Sequence, residues 1–127
     1  RYLHYQDGWS TLCKLDVHFP IVVSGNFSGC AYKVFKSAAG EIFCAHIARP
    51  GGAASDANVT LLGDYATQKG WQEFQHISTV GQIGTGGCIE LVMVSQLVGG
   101  RVDTIRLNIN NTGQVVAKQL TSTAIPP

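Results

Sequence analysis

The residues of this sequence best suited to chemistry are a cysteine that follows a glycine-containing loop and a histidine sixteen residues later. Both lie in the segment VSGNFSGCAYKVFKSAAGEIFCAHIARPGG, residues 23–52, as Cys30 and His46. An imidazolium beside a sulfur favours the thiolate, which is the nucleophilic form of cysteine. A thiol and an imidazole in contact therefore predict nucleophilic catalysis. The competing interpretation is two ordinary core residues, because cysteine is among the residue types most often buried.

A predicted β-hairpin positions the two side chains. The segments CAYKVFK and EIFCAHIAR are strand candidates, SAAG is the turn between them, and RPGG closes the second strand. A five-residue loop pairs Phe35 with Glu41 and therefore Cys30 with His46, and slightly different loops move the partner by one or two positions. Directly paired residues have Cβ atoms about 4.5–5.5 Å apart on one face of the sheet. The spacing thus predicts that Cys30 and His46 lie side by side.

The SGNFSG loop before Cys30 predicts hydrogen-bond donors for a catalytic intermediate. Glycines take positive φ without strain, so such a loop can direct several backbone N–H groups at one point. Donors of that kind form an oxyanion hole for a tetrahedral intermediate. We assign this role to the loop residues Asn26, Ser28 and Gly29.

The sequence Ser28-Gly29-Cys30, followed by a strand, a turn and a histidine, resembles the signature of cysteine-dependent protein glutamine deamidases. That superfamily includes cytotoxic necrotizing factor-type toxins, Burkholderia lethal factor-type toxins and the chemoreceptor deamidase CheD. It uses a Cys–His pair on a β-sandwich with flanking helices. In the CheD-like and lethal factor-like branches a threonine upstream of the cysteine supports the histidine. This sequence has Ser24 there, six residues before the cysteine, so the hydroxyl is kept but not the threonine.

The resemblance implies roles for three residues: Cys30 as nucleophile, His46 as general base and acid, and Ser24 as the third member. It implies deamidation of a surface glutamine on a partner protein, through a thioester and without metal or cofactor. Transglutamination and other Cys–His acyl hydrolysis remain open. The expected setting is a bacterial toxin or effector, secreted or injected into a target-cell cytoplasm, with the bacterial cytoplasm as the alternative. The resemblance covers about thirty of the 127 residues.

The other cysteines and histidines are weaker candidates for the nucleophile and the base. Cys88, in TGGC, repeats the glycine-then-cysteine pattern and ranks as a distant second nucleophile. Cys44 should face the same side as His46, as a packing residue, a ligand or a disulfide partner of Cys30. His76 is an alternative to His46 as the general base if the fold brings it near Cys30.

A second class of function follows from the even number of cysteines. Disulfides are arithmetically possible in a chain with four cysteines, 13, 30, 44 and 88. Under this alternative the protein is a non-enzymatic secreted β-domain whose loops bind carbohydrate or protein. Wide cysteine spacing without C-x-x-C gives poor support for a zinc site.

Composition predicts a single folded domain, residues 1–127, because a chain of this length can bury a core by itself. Hydrophobic residues make up 45%, charged residues only 13%, and the net charge is +1. The Lys and Arg residues form no run, so nothing indicates a nucleic-acid partner. No apolar segment approaches the length of about twenty residues that a membrane span needs. Because the sequence begins at Arg1 rather than Met, we expect an excised domain or a processed chain.

The hydrophobic patterns predict an α+β fold that is mostly β, with a β-sandwich-like core and one or two flanking helices. Alternation predicts a strand over residues 15–23, and NVTLL is a candidate short strand. The stretch GDYATQKGWQEFQHIS is ambiguous: Trp71, Phe74 and Ile77 suit one face of a helix, but Gly70 weakens a long helix. CIELVMVSQLV and RVDTIRLNIN are strands joined by a two-residue turn at Gly99-Gly100. NNTG is a turn before a last strand, QVVAKQL, and the tail STAIPP should be irregular.

Overall fold

The computed structural model describes residues 1–27, 29–49 and 56–127. This part of the chain forms eight β-strands, one α-helix and a short 3-10 turn at Thr85–Gly87. The elements are β1 (Ser10–Leu15), β2 (Ile21–Phe27), β3 (Ala31–Lys36), β4 (Ile42–Ile47), α1 (Ala57–Gln68), β5 (Gln72–Ile77), β6 (Glu90–Val98), β7 (Arg101–Ile109) and β8 (Val115–Ala124).

Two antiparallel sheets pack face to face. The strand order is β1-β4-β3-β5 in the first sheet and β2-β6-β7-β8 in the second. Between them lies the main core, which includes Tyr32 and Val34 from the first sheet and Leu91 and Met93 from the second. Helix α1 covers the outer face of the first sheet, where Leu62 and others pack. The predicted mostly-β, sandwich-like α+β fold is confirmed, with one flanking helix in the described part.

The predicted strand over residues 15–23 is wrong, because a turn divides it into the end of β1 and the start of β2. The Asp16 carboxylate accepts the backbone N–H groups of His18 and Phe19, each at 2.9 Å. An aspartate that bonds its own backbone two residues on favours a turn over a strand. Val17 is accordingly exposed. The apolar alternation here did not mark a buried face.

The helix prediction was also wrong in position. NVTLL belongs to α1, and the predicted helical face of Trp71, Phe74 and Ile77 belongs to the segment that leads into and forms β5. Gly70 has φ +72, a conformation that ends helices readily, and Trp71 N–H bonds the Ala66 carbonyl at 2.7 Å. The glycine therefore separates a helix from a strand instead of weakening one long helix.

The predicted hairpin at Gly99-Gly100 is confirmed. Val98 pairs with Arg101, and the two glycines have φ +50 and +79. Both values lie in the region that type I′ turns require. The strands it joins, β6 and β7, are the inner strands of the second sheet. The tail prediction was wrong in part, since β8 continues through Ala124 and only the last three residues have no regular structure.

Replacing Gly100 with alanine should lower the free energy of unfolding by about 1 kcal/mol, because its φ of +79 is costly for any residue with a Cβ. Urea titration measures the change. Gly63→Ala is the matched control: this glycine lies inside α1 with open space at its Cβ position. There alanine should stabilise the protein by roughly 0.5–1 kcal/mol. Equal effects at the two sites would contradict the assignment of a positive-φ turn.

Candidate functional site

Cys30 and His46 lie at the same end of the sandwich. Because β3 and β4 are antiparallel, the start of β3 is beside the end of β4. Cys30 immediately precedes β3 and belongs to the core cluster that also contains Tyr32, and His46 is the fifth residue of β4. Both side chains are nearly inaccessible, at 6% exposure for the cysteine and 1% for the histidine. The fold therefore brings both residues to one end of the layer between the sheets.

The predicted pairing of Cys30 with His46 is wrong by two residues, because Tyr32 is the residue that pairs with His46. The hairpin closes with Lys36 opposite Ile42, one position later in each strand than the predicted register. Residues two apart along a strand share a face, so the shift keeps Cys30 on the same side of the sheet as His46. The two residues are diagonal neighbours, not directly opposite ones.

The turn residues explain this register. Ser37 donates its backbone N–H to the Glu41 carbonyl at 2.8 Å, and its hydroxyl accepts the Glu41 N–H at 3.0 Å. These two bonds make Ser37 and Glu41 part of the turn. The SAAG turn predicted from the sequence is present. The predicted register differs from the observed one because it did not include the hydrogen bond between the Ser37 hydroxyl and the Glu41 N–H.

Ser24 contacts His46 and fixes its protonation. The Ser24 hydroxyl oxygen lies 2.8 Å from His46 Nδ1 and 2.6 Å from the Leu3 carbonyl oxygen. A carbonyl can only accept, so the single hydroxyl proton goes to Leu3. Ser24 must then accept from Nδ1–H, which leaves His46 Nε2 unprotonated with its lone pair available. Nε2 is buried and has no hydrogen-bond partner within the described residues.

A β-bulge in β2 aims two side chains at His46. Ser24 pairs with Met93 and Phe27 with Leu91, so β2 has one residue more than β6 across this interval. The extra residue places Phe27 on the same face as Ser24, where regular alternation would have put its neighbour. Gly25 lies in the bulge, and a Cβ there would approach the Tyr2 hydroxyl to 3.1 Å. A glycine inside a strand is the sequence signal for this bulge.

Phe27 and Tyr5 flank the imidazole, and neither was a candidate from the sequence. The Phe27 ring is stacked on His46 with centroids 3.8 Å apart and planes 10° from parallel. Tyr5 approaches the same imidazole with centroids 5.2 Å apart. Burial lowers the pKa of His46 from 6.5 to about 4. At neutral pH His46 is therefore an uncharged base, and the imidazolium expected beside the sulfur forms only when Nε2 takes up a proton.

The lowered pKa of His46 makes stability depend on pH. Between pH 6.5 and about 4 the unfolded chain binds a proton at this histidine that the folded chain does not, so acidification favours unfolding. We expect the free energy of unfolding to fall by up to about 3 kcal/mol across this window. Urea titrations at pH 7 and 4.5 should show that His46→Gln lacks this component. His76→Gln, at an exposed histidine, should keep it, and a pH dependence unaffected by His46→Gln would contradict the assignment.

The predicted oxyanion loop is described only in part. Gly29 has φ +146, a conformation open to glycine, and its carbonyl accepts a long hydrogen bond of 3.5 Å from Arg49. Ser28 and the side chain of Asn26 lie outside the described part of the chain, as do the residues of RPGG after Arg49. The assignment of these residues to an oxyanion hole stays a prediction. The structure also shows a contact that the sequence did not predict: the buried Thr79 hydroxyl donates a hydrogen bond to the Cys30 carbonyl at 2.7 Å.

The other cysteines do not compete with Cys30. Cys88 is buried and its thiol donates to the Glu90 carbonyl at 3.3 Å. Burial raises the pKa of Cys44 to about 11, so it stays a thiol. Cys13 and Cys44 face each other across β1 and β4 as thiols, and Cys88 is a thiol as well. The two-disulfide arrangement of the non-enzymatic alternative is therefore not present in this structure.

His76 does not serve as an alternative base. It is exposed on β5 opposite Lys33, while the next residue, Ile77, points into the core opposite Tyr32. His76 therefore lies on the outer face of the first sheet, away from Cys30.

With Ser24 on Nδ1 and Nε2 unprotonated, the site has the arrangement of a histidine base. Comparison with protein-family models, curated proteins and solved structures finds no match to this chain. The resemblance to glutamine deamidases therefore rests on the residues described above. Within the described ranges no helix is long and apolar enough to span a membrane. The same residues contain no group of three His, Cys, Asp or Glu side chains placed to hold a metal ion.

Proposed function

We propose that this protein is a Cys–His amidohydrolase that converts a glutamine side chain of a partner protein to glutamate. The observation that carries the proposal is the buried Nε2 of His46, unprotonated and without a hydrogen-bond partner among the described residues, on a ring held by Ser24. A buried polar atom without a partner costs free energy, and a catalytic role is one explanation for its presence. The imidazole lone pair lies on the same face and at the same end of the sheet as the Cys30 thiol, and proton abstraction takes place when the two come within hydrogen-bond distance.

The first half of the reaction is acylation. The Cys30 thiol transfers its proton to His46 Nε2 while Sγ attacks the carbonyl carbon of the glutamine carboxamide. The resulting tetrahedral intermediate collapses as its C–N bond breaks, and the leaving nitrogen takes the proton from Nε2 as ammonia departs. Cys30 is left as a thioester and His46 returns to its neutral form. Ser24 keeps Nδ1–H bonded throughout, which holds the ring in one orientation.

The second half is hydrolysis of the thioester. A water molecule gives a proton to His46 Nε2 as its oxygen attacks the thioester carbon. When the C–S bond breaks, the proton on Nε2 returns to sulfur and the product is glutamate. The carboxylic acid gives its proton to ammonia, so the net change is glutamine plus water to glutamate plus ammonium. No oxidant or reductant is required, and no step uses a metal. A primary amine in place of water gives transglutamination by the same steps.

The experiment that tests this function is a search for glutamine-to-glutamate conversion in a mixture of cellular proteins. Peptide mass spectrometry detects each conversion as a gain of about 1 Da, and wild type is compared with Cys30→Ser. Gains at particular glutamines that depend on Cys30 support deamidation, and incorporation of an added fluorescent amine identifies transglutamination. Cleaved peptide bonds that depend on Cys30 would overturn deamidation in favour of a protease.

The setting proposed for this activity is a bacterial toxin or effector that is secreted or injected into a target cell. The alternative is a regulatory enzyme of the bacterial cytoplasm. Conversion of one protein in a eukaryotic lysate supports the first, and conversion confined to bacterial proteins supports the second.

A further inference from the structure

The candidate catalytic atoms are closed off from substrate in this structure. Cys30 is 6% exposed and His46 is 1% exposed, so a glutamine side chain on another protein cannot reach them without movement of a covering group. We propose that Tyr5 is that group, an access-controlling residue whose side chain closes the Cys30–His46 site and sets the size of what enters. The substrate-related part of this inference rests on the proposed function.

Tyr5 contacts the His46 half of the site from the solvent side. Its ring lies 5.2 Å from the His46 ring between centroids, and it is itself 39% exposed. Its pKa is raised, first by the hydrogen bond to Asp7, then by burial and by the charge of Asp7, and least by Cys30. The other aromatic ring against His46, that of Phe27, is fully buried and part of the core. Of the two rings, Tyr5 is therefore the one that can move without opening the core.

The segment that carries Tyr5 is fixed at its two ends. At one end, Leu3 donates its backbone N–H to the Val23 carbonyl at 2.8 Å. At the other end, the Trp9 carbonyl accepts the backbone N–H of Ala48 at 3.1 Å. Between these anchors the His4 carbonyl accepts the Thr11 hydroxyl at 2.6 Å and the Gly8 carbonyl accepts an Asn58 amide N–H at 3.2 Å. Because none of the residues between the anchors belongs to a strand, movement of the Tyr5 side chain would leave the sandwich intact.

The Tyr5 side chain itself is held weakly. Its hydroxyl donates to the Asp7 carboxylate at 2.9 Å, and this bond is exposed to solvent. Gly8, with φ +75, follows directly and gives the backbone a conformation that other residues adopt with strain. An exposed hydrogen bond next to a glycine turn is suited to opening and closing.

A closed site with one movable ring selects the substrate by shape. A glutamine carries its carboxamide at the end of two methylene groups, so it can enter a narrow opening while its own backbone stays outside. A main-chain amide would have to bring two flanking residues into the same opening. Tyr5 thus favours side-chain amides over peptide bonds, which narrows the acyl substrates of the proposed reaction to the deamidase class.

The test is the rate at which Cys30 is alkylated, since this does not require turnover. Wild type, Tyr5→Ala and Tyr2→Ala are treated with iodoacetamide and, separately, with N-(1-pyrenyl)maleimide, and peptide mass spectrometry follows Cys30 and Cys13. Tyr2 is the matched control, because it lies on the same segment at 48% exposure and has no ring contact with His46. Cys13, partly exposed on β1, is the internal reference.

Tyr5→Ala should raise the alkylation rate of Cys30 about tenfold or more, with the larger gain for the bulky maleimide. Tyr2→Ala should leave it unchanged, and Cys13 should react equally in all three proteins. Tyr5→Phe, which keeps the ring but loses the Asp7 bond, should give an intermediate rate. The pKa of His46, measured by NMR titration, should rise in Tyr5→Ala as water reaches the ring.

A Cys30 rate in Tyr5→Ala within about twofold of wild type, or an equal rise in Tyr2→Ala, would overturn the role of Tyr5. These outcomes are separate from failure of the proposed function. If Tyr5→Ala raises the alkylation rate of Cys30 but no glutamine is converted in a Cys30-dependent way, the access-controlling role of Tyr5 is supported and the proposed deamidase function is wrong.

Discussion

A protein in which Cys30 is replaced by serine should convert glutamine to glutamate at least about three orders of magnitude more slowly than wild type, while keeping its fold. Serine is close in size to cysteine, so the buried position stays filled. The hydroxyl, however, has a far higher pKa than a thiol. His46, with its pKa lowered to about 4, is a weaker base than an ordinary imidazole. In the proposed reaction such a base can take the proton of a thiol but not that of an alcohol, so the sulfur is required.

Mass spectrometry of a converted substrate measures the rate of conversion, and circular dichroism of each variant checks that the fold is kept. Cys88→Ser is the matched control, because Cys88 is also a buried thiol at the end of a glycine-containing loop. It should retain the wild-type rate. Loss of activity in Cys88→Ser with retention in Cys30→Ser would reverse the assignment of the nucleophile.

Most strands of this fold could be predicted because their residues alternate or form apolar runs between clear turn signals. The Gly99-Gly100 turn and the NNTG turn define the strands around them, and the structure agrees. Prediction failed where a local hydrogen bond or a backbone conformation opposed the hydrophobic pattern. Asp16 turns the chain inside an alternating segment, and Gly70 separates a helix from a strand. In both places local hydrogen bonding or backbone conformation overrode hydrophobic periodicity.

For the candidate site, the sequence predicts Cys30, His46 and Ser24, and the structure shows that Ser24 contacts His46. The catalytic roles of the three residues stay predictions. The register was missed by two residues because strand pairing depends on turn geometry that composition does not specify. Phe27 and Tyr5 were missed for different reasons. A bulge brings the first to the imidazole, and a segment without regular structure brings the second.

Replacing Ser24 with alanine should lower turnover by about one to three orders of magnitude. The same substitution should also lower stability. The Ser24 hydroxyl is fully buried and bonds both the Leu3 carbonyl and His46 Nδ1. Its removal leaves two buried polar groups without a partner, so we also expect a loss of about 1–3 kcal/mol in the free energy of unfolding. Ser24→Thr keeps the hydroxyl and should retain activity.

Ser24→Ala should change both turnover and the free energy of unfolding. A control variant is therefore needed to separate the effect on catalysis from the effect on stability. Ser95→Ala is the matched control: this serine is equally buried, bonds the Tyr32 and Thr104 hydroxyls at 2.6 and 2.7 Å, and has no hydrogen bond to His46. It should lose comparable stability but keep turnover. The decisive readout is the ¹⁵N spectrum of the His46 ring, which should show Nδ1–H in wild type and Ser95→Ala. In Ser24→Ala the proton is no longer held at Nδ1, and the Nε2–H form should appear, in which Nε2 can no longer act as a base. Equal losses of turnover in the two serine variants, with the wild-type tautomer in both, would show that Ser24 acts through stability alone.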